Sequence, residues 1–432
     1  MLASRSRGQL TAMGLAVGLT LPGLFLRVSG GHPTPWLAGA LFGLAVVGSA
    51  FILAWAAEAL QLDVSQGLAI AVLALIAVLP EYAVDFVFTW KAGKDPKEFA
   101  PLALANMTGG NRLLIGIGWS LVVLLAAWRM RRIAKADGYE GPMDDEVQLT
   151  RSHSIEIGFL AVATIYSVTL PFKRTITLLD AAFLVALFIA YMVRIARAPA
   201  EEPHLVGPAE FIGSLPTTRR RMVVAGLLVY AAGVILACAE GFAEALVETG
   251  TEFGISKFLL VQWLAPLASE APELLIAGLF AWRLNTEAGL GALVSSKVNQ
   301  WTLLVGSLPI VFAISSSSLH GLPLDGLQRE ELFLTAAQSA FAVAILANRT
   351  ISVREAMALL TLFLSQFVLG ALLPENLREL ERIAIGVFYL LLAAVILFKQ
   401  RRTLRPLTRD AFRTPVGELV HDDSEPVSAA HP

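Results

Sequence analysis

The sequence predicts an all-α polytopic membrane protein of about 12 transmembrane helices, built as two inverted repeats with an extra helix at each end. Three observations carry that expectation. Hydrophobic residues make up 56% of the 432 residues and charged residues only 16%, against roughly 25% charged in soluble domains. The apolar residues are gathered into runs of roughly 20, the length that crosses a bilayer as a helix. Short polar patterns in the first half of the chain also return in the second.

So few charges cannot coat a soluble fold of this size. The composition therefore excludes a soluble enzyme, a nucleic-acid binder and a disordered scaffold. With 33 basic and 35 acidic residues the net charge is −2, so nothing points to a polyanionic partner. The lone cysteine, Cys238, excludes a disulfide framework and a thiolate metal site. All six histidines fall outside the apolar runs, and no resident cofactor is expected.

Twelve runs read as spans: 9–27, 37–60, 66–90, 99–128, 155–172 and 175–195, then 222–248, 256–282, 288–314, 330–347, 352–373 and 381–398. The first follows Arg5 and Arg7 but is too long for a signal-peptide core and lacks a cleavage pattern, so it reads as a retained span. Residues 1–195 then form an N-terminal membrane half and 222–398 a C-terminal one. Between them 196–221, with four prolines and Arg219-Arg220-Arg221, reads as a cytoplasmic linker. Residues 399–432 read as a flexible cytoplasmic tail. Basic residues concentrate in 129–154, in the linker and in the tail. That bias places both termini in the cytoplasm; the inner (plasma) membrane is the expected location, with membrane lipid as a partner.

The halves repeat. Ala57-Glu58-Ala59-Leu60 returns as Ala243-Glu244-Ala245-Leu246, and Pro80-Glu81 as Pro272-Glu273. Each Pro-Glu is followed by a segment ending in Trp90 or Trp282, then a loop, then a small-residue polar patch opening the next helix: 105–111 and 291–297. The matched spans are the third and the eighth, an offset of five, so the repeats have opposite orientation. An inverted pair with interrupted helices at matching positions marks a secondary transporter with its site at the midplane.

The residues in these positions suit a hard cation. Carboxylates inside spans are costly and usually line a polar path. Glu81 with Asp85, and Glu270 with Glu273, are spaced i,i+4 and i,i+3, so each pair shares one helix face. Proline before Glu81 and Glu273 frees a carbonyl one turn back. Calcium takes about 6–8 oxygen ligands, and Ser269, Ser296, Gln300, Asn106 and Thr108 offer neutral ones. The blander expectation is a structural lock, Asp85 with Lys91 or Glu270 with Lys297. Glu58 and Glu244 read as snorkelling to the interface, and Gly109 and Gly110 as close-packing positions.

At these residues the chain resembles the membrane region of the sodium/calcium exchangers, in the calcium/cation antiporter superfamily. That family carries two inverted α-repeats, here about 38–128 and 222–314. Each has a Gly-Thr-Ser-Leu-Pro-Glu motif and, on the next helix, Gly-Asn-x-x-Gly-Ser-Asn-x-Phe-Asn/Asp. The resemblance implies Glu81 and Glu273 as the central calcium ligands. It aligns Ser269 and Glu270 with the Thr and Ser of the first motif, and Ser296 and Gln300 with the Ser and final residue of the second. The first repeat departs more: Ala77, Val78, Gly110 and Leu114 replace oxygen-bearing residues that in the family help bind sodium. Lys297 stands where the family has Asn, either paired with Glu270 or Glu273 or standing in for a bound ion.

The reading is a cation antiporter, with calcium or a related cation exchanged for sodium or protons by alternating access. The alternatives are a proton- or potassium-coupled exchanger with little calcium affinity, and a non-transporting sensor or scaffold on the same fold. An intramembrane aspartyl protease fits least, because Asp85 and Asp180 share no partner motif.

Overall fold

The apolar runs do become helices. The computed structural model describes residues 2–63, 79–136, 146–197, 205, 207–254 and 256–419. Among these, ten helices are long and apolar enough to cross a membrane, and an eleventh span is a helix pair bent by 56° between Ala271 and Glu273. The chain is an integral membrane protein. Residues 66–78 of the predicted third span lie outside the described residues, as do Ala77 and Val78.

Two predicted spans each run through a π-helical turn. The fourth is one 41-residue run, Pro96–Ala136: α4 (Pro96–Leu113), a π-helical turn Leu114–Trp119, and α5 (Ser120–Ala136). The ninth is Thr286–Ser316: α11 (Thr286–Asn299), a π-helical turn Gln300–Leu304, and α12 (Val305–Ser316). The two π-turns begin at Leu114 and Gln300, which are matched positions of the two repeats. The repeat in sequence is thus a repeat in backbone defect, of the kind that often marks a functional site.

The chain divides into two compact units, and neither is a sequence half. The first comprises Met1–Gly110, Ala200–Glu273 and Leu308–Pro323; the second comprises Asn111–Pro199, Leu274–Ser307 and Leu324–Pro432. In the first, α2 (Pro35–Leu60) lies along α9 (Thr217–Phe253). The contact is reciprocal: a Cβ on Gly43 would stand 2.9 Å from the Phe242 ring, and one on Gly241 2.6 Å from the Phe42 ring. Each ring fills the space the other helix's glycine leaves. Also in this unit are α1 (Leu2–Ser29), α3 (Leu79–Lys94) and most of α10 (Lys257–Trp282). Large apolar side chains such as Phe25, Leu15 and Leu236 are more than half exposed; in water that would be a liability, whereas here it is a hydrocarbon-facing surface.

The second unit holds α5, α6 (Ser154–Ser167), α7 (Leu178–Ile195), α11, α13 (Gly326–Ile345), α14 (Val353–Leu372) and α15 (Glu375–Lys399). A short antiparallel ribbon joins Glu146–Gln148 to Thr350–Ser352. The segment after Lys399 corrects the expectation of a flexible tail. Arg401–Phe412 is helical, and Asp410 takes a two-pronged bond from Arg151, at 2.7 and 2.8 Å. Arg194 donates to the carbonyls of Asp410 and Ala411, both at 3.1 Å. The Arg151 guanidinium holds the Asp410 carboxyl below its usual range. Polarity alone cannot distinguish a mobile tail from one that docks by ion pairs. Residues 420–432 lie outside the described residues.

The linker arginines are also engaged. Arg220 binds Asp63 with both arms, at 2.6 and 2.9 Å, and Arg221 adds a contact at 3.0 Å. Arg220, more than burial can oppose, lowers the Asp63 carboxyl from 3.8 to about 2.

Candidate functional site

Six of the eight predicted ligands lie in the first unit: Glu81, Asp85, Asn106, Ser269, Glu270 and Glu273. Ser296 and Gln300 belong to the second. Glu81 and Asp85 sit on α3 and are 5% and 0% exposed; Glu270, on α10, is 2% exposed.

Glu81 and Glu270 converge on Gly110. A Cβ at Gly110 would stand 2.5 Å from Glu270 Oε1 and 3.4 Å from Glu81 Oε1. Two carboxylates from two helices therefore share the niche left by a missing side chain on a third, α4. The preceding residue shows how α4 gets so close. A Cβ on Gly109 would overlap the Gln262 carbonyl of α10, so the two backbones touch there, and only glycine permits it. The pair Gly109-Gly110 thus has two jobs, backbone contact at the first residue and room for carboxylates at the second.

Glu273 follows Glu270 by one turn, at the 56° bend, and is half-buried. The bend falls at Pro272, which has no amide hydrogen to continue the helical ladder. The hydroxyl of Ser269 donates to its own helix, to the Ala265 and Pro266 carbonyls at 3.2 Å, which leaves its lone pairs available as acceptors. Thr108 likewise donates to the Leu104 carbonyl at 2.7 Å.

Asp85 is one turn beyond Glu81, with the Asn106 amide as its neighbour. Among the described residues, neither oxygen of Asp85, neither amide atom of Asn106 and not the Thr89 hydroxyl makes a hydrogen bond of normal geometry. Glu81, Asp85 and Thr89 thus form a buried polar stripe at i, i+4, i+8 along α3. The lock expected between Asp85 and Lys91 is not made: Lys91 binds Glu244 at 2.7 Å. That contact and Arg27 with Glu240, at 3.0 Å, give the acidic face of α9 basic partners.

In the second unit, Gln300 is fully buried in the π-turn and Ser296 is half-buried. Lys297 is fully buried. Its ammonium donates to Asn111 Oδ1 at 2.7 Å and to the Asn111 carbonyl.

Two features escaped the sequence reading. Gln262 is 2% exposed and lends its backbone to the α4 contact; a lone Gln in an apolar run was the available signal. A buried charge network also occupies the second unit. Arg112, 1% exposed, pairs with Glu331 at 2.6 Å, and Arg382 pairs with Glu330 at 2.6 Å. Glu330, Glu331 and Arg382 sit near the ends of the predicted runs, where snorkelling is the default expectation, and Arg112 sits mid-run, so only packing reveals which of them pair.

The sequence and the fold are matched in known proteins. The profile described as sodium/calcium exchanger protein matches residues 34–196 and 223–372. A crystal structure of a H+/Ca2+ exchanger, CAX, is 42% identical, covers 96% of this chain and 98% of its own, and superposes with a TM-score of 0.86. The native structure of YfkE superposes at 0.58 with 14% identity, over 87% of this chain and 99% of that one, a likeness of fold alone. Among curated protein sequences, none matches.

Proposed function

This chain belongs to the sodium/calcium exchanger family, and on that premise we propose that it exchanges calcium for protons, with Glu81, Glu270 and Glu273 as the carboxylates that take either ion. The observation that carries the reading is the convergence of Glu81 and Glu270 on Gly110. Buried negative charges are costly unless compensated. One divalent cation or two protons compensate a carboxylate pair equally well, so the two ions compete for one place. A protein that changes face only when that place is filled couples their movement. Glu273, Ser269 and the carbonyl freed before Pro272 supply further oxygens toward the six to eight that calcium takes.

Protons rather than sodium are favoured as counter-ion by what is missing. Ala77, Val78, Gly110 and Leu114 carry no side-chain oxygen, so at these four positions the first repeat lacks the oxygens with which the resembled family helps bind sodium. The 42%-identical relative is named as a H+/Ca2+ exchanger, which supports the same choice. The Lys/Arg distribution supports both termini in the cytoplasm.

The test is calcium-45 uptake into proteoliposomes under an outward proton gradient and, separately, an outward sodium gradient. The proton gradient should drive uptake, and Glu81→Gln and Glu270→Gln should abolish it. Uptake under the sodium gradient alone would make this a sodium exchanger. No uptake under either, from folded and inserted protein, would reject calcium exchange.

A further inference from the structure

Lys297 is a fully buried cation in a membrane protein, where an uncompensated charge costs several kcal/mol. What compensates it is specific. Its ammonium donates to the side-chain oxygen of Asn111 at 2.7 Å and to the main-chain oxygen of the same residue. It also stands 5.6 Å from the centre of the Trp301 ring. That ring is itself held by a 2.8 Å bond from its Nε1 to Ser339 Oγ.

Asn111 and Lys297 are the same position of the two repeats. Each lies three residues before its π-turn. The residue after Asn111 shows the same opening of the helix: the Arg112 carbonyl accepts from Gln338 Nε2 at 3.4 Å. Two successive carbonyls are thus turned toward side-chain donors just before a backbone defect. Carbonyl and amide oxygens at an irregular helix turn, beside an aromatic face, are the surroundings that membrane proteins offer to a monovalent cation.

We propose that the Lys297 ammonium is a tethered cation, permanently filling an oxygen-lined monovalent site where the two repeats meet and so keeping sodium out of the transport cycle. The geometry stands by itself; its consequence for transport rests on the exchanger reading above. A lysine that merely clamps two helices would occupy the same place, and the two roles differ in what happens when the ammonium is removed but the oxygens are kept.

The experiment compares wild type, Lys297→Gln and Lys297→Met in detergent and in proteoliposomes, with sodium chloride against choline chloride at equal ionic strength. Wild type should show no sodium-driven calcium uptake and no sodium-dependent change in Tm. Lys297→Gln leaves the oxygens and room for a hydrated ion, so sodium should raise its Tm saturably, by about 2–4 °C, and should drive or inhibit its calcium uptake. Lys297→Met fills the space with apolar atoms and should fold without any sodium response. Sodium-driven uptake by wild type overturns the proposal. So does a folded Lys297→Gln protein that ignores sodium in both readouts, or a sodium response of equal size in Lys297→Met. If Lys297→Gln does not fold, Lys297→Ser takes its place. If no gradient drives uptake in any protein, the exchanger reading fails while the Tm response still decides this one.

Discussion

The two repeats put opposite answers at the same address. On α4 the patch before the π-turn is bare at 109 and 110, where two glycines let the Gln262 carbonyl and the Glu81 and Glu270 carboxylates come in. On α11 the matched patch is filled, with Ser296 opposite Gly110 and Lys297 opposite Asn111. An inverted repeat begins symmetric, and the difference teaches where the symmetry was given up. The bare patch receives charge from neighbours, whereas the filled one supplies its own and reaches across to the Asn111 oxygens. Removing a side chain and adding a cation both change the ions the place accepts.

The largest effect expected from this comparison lies at the bare patch's guests. Glu81→Gln or Glu270→Gln leaves a buried site one charge short, at about 3–5 kcal/mol. Proton-driven calcium uptake should fall about 100-fold or more while the proteins still elute as folded monodisperse species. Retained uptake in either variant would place the ion elsewhere.

The two glycines should then separate fold from function. Gly109→Ala drives a Cβ into main chain, which cannot swing aside, so it should cost about 1–3 kcal/mol or more, read as a lowered Tm. Gly110→Ala meets the ends of two flexible side chains, so Tm should hold. Calcium uptake should instead fall about 10-fold, as the carboxylates are pushed from the niche. If Gly110→Ala loses stability and not transport, the niche is packing only.

The smallest effect tests whether charges outside both patches matter only to the fold. Asp63 binds Arg220 and Arg221 at the start of α9, and its folded pKa is about 2, below the ordinary 3.8. A depressed carboxyl stabilises fully above its unfolded value and loses that contribution as pH falls through about 4 toward 2. Asp63→Asn should therefore lower Tm by about 1–2 °C at neutral pH. The gap from wild type should close on acidification, with transport unchanged throughout.

Most of the spans were legible because a bilayer demands long apolar helices whatever they pack against. The repeat was legible because Glu58 and Glu244, and Glu81 and Glu273, recur with like neighbours. Which side chains fill the Gly110 niche was not. Motif alignment made Glu81 and Glu273 central and Glu270 secondary, and the fold brings Glu270, one turn before Glu273, to the niche beside Glu81. Lys297 was expected paired with a glutamate or standing in for an ion, and the structure gives it two bonds to Asn111. The segment from Arg401 to Phe412 was expected to be flexible, and Arg151 and Arg194 dock it.

The sequence by itself determined the solvent, the approximate spans, the inverted repeat and the chemical type of the candidate site. Each follows from local rules: hydrocarbon excludes unpaired backbone, and a carboxylate in a span needs a reason. Only the tertiary structure decided which charges meet. Partnership depends on which residues lack a side chain on the facing helix, and a glycine announces in sequence that space is free but not whose side chain will fill it.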